Sequence, residues 1–124
     1  MKLIIGGAWQ GKTEYAKEKF SLCDKDIFCC ESIQINFDTR CIDNLEKFTF
    51  ECVKNNVDAT AFFKENYTKW QDKVIICQDI FCGVVPLGVE NRAWRQQTGR
   101  LCQYLSQQAE TVTRIFCGME QKLK

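Results

Sequence analysis

The sequence predicts an α/β domain with a mostly parallel sheet of about four or five strands flanked by helices, because strands alternating with helices are joined by crossovers. Three observations carry this. Short apolar runs alternate with longer segments of helical spacing; the first run stops at a glycine pair that opens a helix; and no repeat, linker or low-complexity stretch interrupts the pattern. A chain of 124 residues that is 45% hydrophobic suits a single domain, residues 1–124, with a real core.

Each element follows from its local pattern. Lys2-Leu3-Ile4-Ile5 is an apolar run ending at Gly6-Gly7, as a buried strand ending in a tight turn would. Lys12 to Phe20 reads as a helix, with Tyr15, Ala16, Lys19 and Phe20 on one side. Asp26 to Cys30 is a second short run, and in the polar stretch Glu31 to Arg40 the alternation of Ile33, Ile35 and Phe37 predicts a brief edge strand. From Cys41 to Asn55 the spacing of Ile42, Leu45, Phe48 or Thr49, and Cys52 or Val53 predicts a helix. Another runs from Asp58, a natural N-cap, to Trp70. Val74-Ile75-Ile76-Cys77 is the strongest buried strand, ended by Gln78-Asp79, and Pro86 marks a loop between Gly83 and Gly88. Glu90 to Ala109 is the longest helix, with Trp94, Thr98, Leu101, Leu105 and Ala109 as a core stripe, and Val112 to Cys117 is a last strand ended by Gly118.

Composition removes whole classes of chemistry. There is no histidine, so Ser-His and Cys-His hydrolysis, histidine proton shuttles, phospho-histidine or nucleotidyl-histidine intermediates and histidine-ligated metals are excluded. Any general base is Asp, Glu, Lys or Tyr. The net charge of +1, from 17 basic and 16 acidic side chains, gives no electrostatic footprint for nucleic acid or an anionic membrane. The nine cysteines are odd in number, lack a Cys-x-x-Cys pair and sit largely in apolar runs, as buried free thiols do. No stretch approaches the roughly 20 apolar residues of a membrane span, and no signal-like segment opens the chain. The expectation is a cytoplasmic protein with reduced thiols and no membrane span.

Gly6-Gly7-Ala8-Trp9-Gln10-Gly11-Lys12-Thr13 fits G-x-x-x-x-G-K-[ST] between a strand and a helix. Glycines let the backbone curl so that successive N–H groups face phosphate oxygens, and the positive end of the following helix adds to the attraction. Lys12 is then expected on the β- and γ-phosphates of a nucleoside triphosphate, ATP or GTP, with the Thr13 hydroxyl on Mg²⁺. This makes the predicted sheet one of P-loop NTPase type. A second Mg²⁺ contributor is expected at the end of a neighbouring buried strand, and Asp79 is best placed, although a strand-end aspartate also suits a turn. Asp43 and Glu51, read as helical, are the alternatives. In the long helix Arg92 and Arg95 share a face that suits phosphate or carboxylate, whereas Arg100 points elsewhere.

The opening residues Gly6 to Ala16 resemble the G-G-A-x-x-G-K-[ST]-x-x-A start of the adenosylcobinamide kinase/adenosylcobinamide-phosphate guanylyltransferase family of cobalamin biosynthesis. Residues 78–86 (QDIFCGVVP) are similar to that family's N-E-V-G-x-G-I-V-P, residues 92–103 (RAWRQQTGRLCQ) to R-x-F-R-D-x-x-G-x-x-N-Q, and residues 117–124 (CGMEQKLK) to S-G-L-P-x-x-L-K. About half the chain is covered, leaving residues 21–73 unmatched. The resemblance implies a cobinamide-like acceptor whose hydroxyl is phosphorylated, with Lys12 and Asp79 catalytic, Thr13 and Asp79 on the metal, and Arg92, Arg95 and Gln103 on the acceptor or its phosphate. It also implies a homo-oligomer. The family's bifunctional members pass GMP through a histidine, which this chain lacks, so the guanylyltransferase step is excluded. Gln78, Asp79, Phe81, Gln96 and Cys102 depart from the family pattern, whereas Arg92, Arg95, Gly99 and Gln103 keep it. Two other readings stand beside the kinase: a non-catalytic nucleotide-binding regulator or partner that retains the loop, and a small-molecule kinase with an unrelated acceptor. Among the cysteines only Cys82 is expected near the nucleotide.

Overall fold

The computed structural model describes residues 1–82 and 88–124. The loop expected around Pro86 lies outside the described residues, as do Gly83, Val84 and Val85 of the segment 78–86.

Lys2–Gly6 forms β1, and its Leu3 and Ile4 are each 1% exposed because both faces of the strand are covered. β4 (Val74–Gln78) pairs with it in parallel on one side and β5 (Thr111–Phe116) on the other, so that Ile4 faces Ile76 and Thr113. Beyond β4 come β3 (Cys41–Asp43) and β2 (Ile27–Cys29), both parallel, while β6 (Met119–Lys122) runs antiparallel along the far edge of β5. The sheet has six strands, not the four or five expected, because β3 and β6 add to it where a helix and the end at Gly118 were expected; their order is β2-β3-β4-β1-β5-β6. The protein is thus α/β, with a mostly parallel sheet flanked by helices, and no helix among the described residues is long and apolar enough to cross a membrane.

Alternate residues on each strand serve opposite layers. Leu3, Ile42, Ile75, Cys77 and Val112 join one core with α2 (Leu45–Lys54), α3 (Ala59–Glu65), α4 (Tyr67–Trp70) and α5 (Val89–Gln108). Ile4, Cys41, Val74, Ile76 and Ile115 face the other way, under α1 (Lys12–Phe20), whose one buried residue is Ala16.

Four local expectations change. Cys41–Asp43 is a strand and not a first helical turn: Cys41 and Ile42 are fully buried between Ile27-Phe28 and Val74-Ile75, and the left-handed Asn44 (φ 57°) separates them from α2. The segment 31–40 has no edge strand; Ile35 and Phe37 turn inward against the larger core, where Phe37 meets the rings of Phe62 and Phe63. The helix from Asp58 divides at Asn66, whose side-chain amide donates back to the Phe62 carbonyl (2.8 Å), although Asp58 does cap α3 through bonds from the Thr60 and Ala61 amides. After β5 the chain does not stop at Gly118: Cys117 and Gly118, with φ of 51° and 76°, make a turn with the right-handed twist a hairpin needs, and β6 returns. The carbonyl of Val112 at the other end of the hairpin accepts from Leu123 (2.8 Å).

Candidate functional site

Residues 7–11 cross from β1 to α1 at the carboxyl ends of the parallel strands. β1 and β4 are neighbours whose outgoing helices, α1 and α5, lie on opposite faces of the sheet. Such a switch point opens a crevice where α/β sheets place ligands. Two glycines are required there. A side-chain carbon on Gly6 would come 2.5 Å from the backbone oxygen of Ile115, and Gly11 enters the helix at φ 90°. No side chain caps α1, so its first N–H groups and the positive end of its dipole remain for an anion.

The loop is braced from both sides. Lys12 folds back so that its Nζ donates to the Gly7 carbonyl at 2.5 Å. Gln10 holds the β5–β6 turn: its Oε1 accepts from the Cys117 amide (2.6 Å) and its carbonyl from the Gly118 amide (2.9 Å). Cys117 is therefore a thiol-bearing residue at the loop, whereas Cys82, the one expected near the nucleotide, is not among the residues that line the loop's cleft; its amide donates to the Asp79 carbonyl (3.1 Å).

Thr13 points at a carboxylate, and it is that of Asp43. Thr13 Oγ1 donates to Asp43 Oδ2 at 2.7 Å, while Asp43 Oδ1 accepts from the Asn44 amide at 2.6 Å. Asp43 is 5% exposed at the end of β3, a place that only the strand assignment gives it. Glu46, three residues on and 7% exposed, accepts the Gln78 amide on Oε2 at 3.1 Å. Its backbone carbonyl takes the Trp94 indole N–H at 2.7 Å, tying α5 to α2 behind the site. Thr13, Asp43, Glu46 and Gln78 line a cleft of about 400 Å³ together with Trp9, Lys12 and Lys47.

Asp79 lies beneath the start of the loop. Its amide donates to the Gly6 carbonyl (3.0 Å), its Oδ1 would be 3.9 Å from a side-chain carbon on Gly7, and its Oδ2 stands 4.0 Å from Arg114 Nε. Glu51, the other alternative, pairs with Lys54 on α2 at 3.2 Å, away from the cleft.

Arg92, Arg95 and Gln103 come together in a separate, wider cleft of about 630 Å³. Arg100 and Gln96 line it too, so Arg100 shares the face from which it was expected to diverge; eight residues along a helix bring a side chain round to within about 80° of Arg92. Phe81 forms the opposite wall, packs where Gly99 has no side chain (3.6 Å), and accepts Arg95 Nε on its carbonyl at 3.1 Å. Among the described residues no carboxylate lines this cleft.

Five cysteines are buried and four exposed. Burial, with smaller contributions from nearby carboxylates, pushes the thiols of Cys30, Cys41 and Cys52 up to about 12, and burial followed by the Asp43 carboxylate raises that of Cys29. These are protonated, unreactive sulfurs near neutral pH. No group of three or more metal-ligating side chains occurs among the described residues. Mg²⁺ in a phosphate site needs only one or two protein oxygens, the rest coming from phosphates and water, and the Thr13–Asp43 pair is a donor set of that kind.

Sequence reading missed Glu46 and the Gln10 brace. The acid three residues beyond Asp43, opening an apolar helix, was a usable signal for the first; the second joins residues 107 apart and left none. No protein-family model and no curated protein matches this chain.

Proposed function

We propose that the chain binds a nucleoside triphosphate, ATP or GTP, with Mg²⁺ at Gly6–Thr13 and phosphorylates the hydroxyl of a cobinamide-like acceptor, as the sequence resemblance implies. The observation that carries the binding half is the Thr13–Asp43 hydrogen bond of 2.7 Å beside the uncapped start of α1. In that place a hydroxyl and a carboxylate from two different elements meet at the mouth of a glycine loop, the arrangement that holds a divalent cation against phosphate.

The residues divide the work. Amides of Gly7 to Lys12 and the α1 dipole bind the phosphates, and Lys12 leaves the Gly7 carbonyl to neutralise the transferred group. Mg²⁺, when bound, neutralises the charge that develops between the β- and γ-phosphates. The acceptor oxygen bonds to the γ-phosphorus as the bond to the bridging oxygen breaks, and the hydroxyl proton passes to a carboxylate, for which Asp79 against Gly7 is the candidate. The acceptor, or a phosphate on it, meets Arg92, Arg95 and Gln103 in the wider cleft, whose described lining also includes the basic Arg100. Positioning and electrostatics supply most of the rate in such transfers, so the lack of histidine is no obstacle. A homo-oligomer in the reducing cytoplasm belongs to the same reading.

One observation favours the non-catalytic alternative, a nucleotide-binding regulator or partner. Asp79 Oδ2 stands 4.0 Å from Arg114 Nε, and Asp79 is not among the residues that line the cleft of Lys12 and Thr13. Incubation with Mg-ATP or Mg-GTP and adenosylcobinamide, following phosphorylated product alongside nucleotide affinity, separates the two. The kinase reading expects turnover that Lys12→Ala abolishes together with nucleotide binding, and that Asp43→Asn lowers by at least about 10²-fold, as loss of one charge-stabilising group does. Nucleotide binding without turnover establishes the regulator; no affinity for nucleotide ends both.

A further inference from the structure

Trp9 stands apart from every other aromatic residue described. It is 100% exposed, at the tip of the phosphate loop and on the rim of its cleft. Its backbone is left-handed, with φ 61°, a conformation that strains an L-residue and that glycine would adopt freely. A bulky indole therefore occupies a position suited to glycine and gains no packing within the chain. The backbone beneath it is not loose, since Gln10 next to it is fastened to Cys117 and Gly118 and Gly7 to Lys12. The other two tryptophans behave differently: Trp70 is fully buried and Trp94 is hydrogen-bonded to α2.

We infer that Trp9 is a stacking platform for a flat conjugated ring carried by the ligand of this site. The inference rests on the nucleotide-phosphate reading of the loop and adds what the loop's backbone cannot supply, selectivity for what is attached to the phosphates. An indole face recognises any planar π-system without hydrogen bonds, and stacking of a nucleobase on an aromatic side chain is worth about tenfold or more in affinity. Two rings meet that description, the base of the triphosphate and the conjugated macrocycle of a cobinamide-like acceptor, and the probes distinguish them.

The test measures affinities of wild type, Trp9→Ala, Trp9→Phe and Trp9→Gly, with Mg²⁺ present, for inorganic tripolyphosphate, ATP, GTP and a cobinamide lacking the adenosyl group, by calorimetry. Tripolyphosphate carries the charge without a ring. The expected result is a loss of about tenfold in Trp9→Ala and Trp9→Gly relative to the tripolyphosphate affinity of the same variant, largely restored in Trp9→Phe, for the nucleotides if the base stacks or for the adenosyl-free cobinamide if the macrocycle does. Unchanged affinity for every ring-bearing probe overturns the inference while leaving the loop reading intact. An equal loss for tripolyphosphate also overturns it, because Trp9 then acts by shaping the loop. Failure of wild type to bind tripolyphosphate or nucleotide overturns the loop reading and the inference together. A self-association lost in Trp9→Ala by sedimentation, with no change in any affinity, assigns the ring to a contact between copies of the chain and sinks the platform.

Discussion

The two faces of the sheet are built by opposite means. On one side four helices enclose a chain of aromatic contacts from Phe37 through Phe62, Phe48 and Phe63 to Trp70, with Tyr67 and Tyr104 against the last ring. On the other, the nine-residue α1 covers Ile4, Ile76 and Ile115 with a single fully buried alanine. Close approach of a helix to a sheet needs small residues, and here it sets the start of α1 against the ends of β1 and β3, where Thr13 reaches Asp43. The thick layer supplies burial; the thin one positions the loop.

This contrast is open to direct attack. The largest effect is expected from Trp70→Ala, which empties the end of the aromatic chain and removes the buried indole N–H that meets the Phe63 carbonyl at 2.7 Å; urea unfolding should lose about 3–5 kcal/mol. Ala16→Leu attacks the thin face by overfilling it, with an expected loss of about 1–3 kcal/mol and weakened tripolyphosphate binding as α1 lifts. If it is harmless, α1 has room to spare and the contrast fails. High pH strikes both faces at once, because Cys30 belongs to the thick core and Cys41 to the thin one, and each thiol is pushed up to about 12 by burial. Above about pH 8.5 these thiols ionise in the unfolded chain but not in the folded one, so the unfolded state binds fewer protons and stability falls as pH rises toward 12. Each contributes a slope of about 1.4 kcal/mol per pH unit; thermal melts between pH 8 and 11 measure it, and Cys41→Ala should flatten the fall. The smallest effect is Asp58→Ala, which removes the cap of α3 for about 1 kcal/mol without altering ligand affinity.

How well the fold could be read from sequence depended on the length of each pattern. β1, α1, β4 and α5 repeat long enough to show their period, and α1 runs from Lys12 to Phe20 as its pattern indicates. β3 is three residues long, too short for a period of two to separate from the helical spacing that follows it. β6, Met-Glu-Gln-Lys, is exposed throughout and carries no apolar alternation; it is a strand because β5 offers an edge. Asn66 looked like one more helical residue until its side chain took the Phe62 carbonyl. At the site, Gly6 to Thr13 were legible because their chemistry is local, whereas the partner of Thr13 lies 30 residues away and Glu46 reached the cleft only once β3 had formed.

By itself, then, the sequence determined the α/β class, the glycine loop between strand and helix, the exclusion of histidine chemistry and the core stripe of α5, all of which follow from composition and from periods of neighbouring residues. The tertiary structure decided which carboxylate faces Thr13, that Arg100 joins Arg92 and Arg95, that Gln10 ties the loop to the last hairpin, and that Trp9 is left uncovered. The physical reason is that a strand pairing brings together residues far apart in the chain, and a contact or an exposure created by that pairing has no local pattern from which to be read.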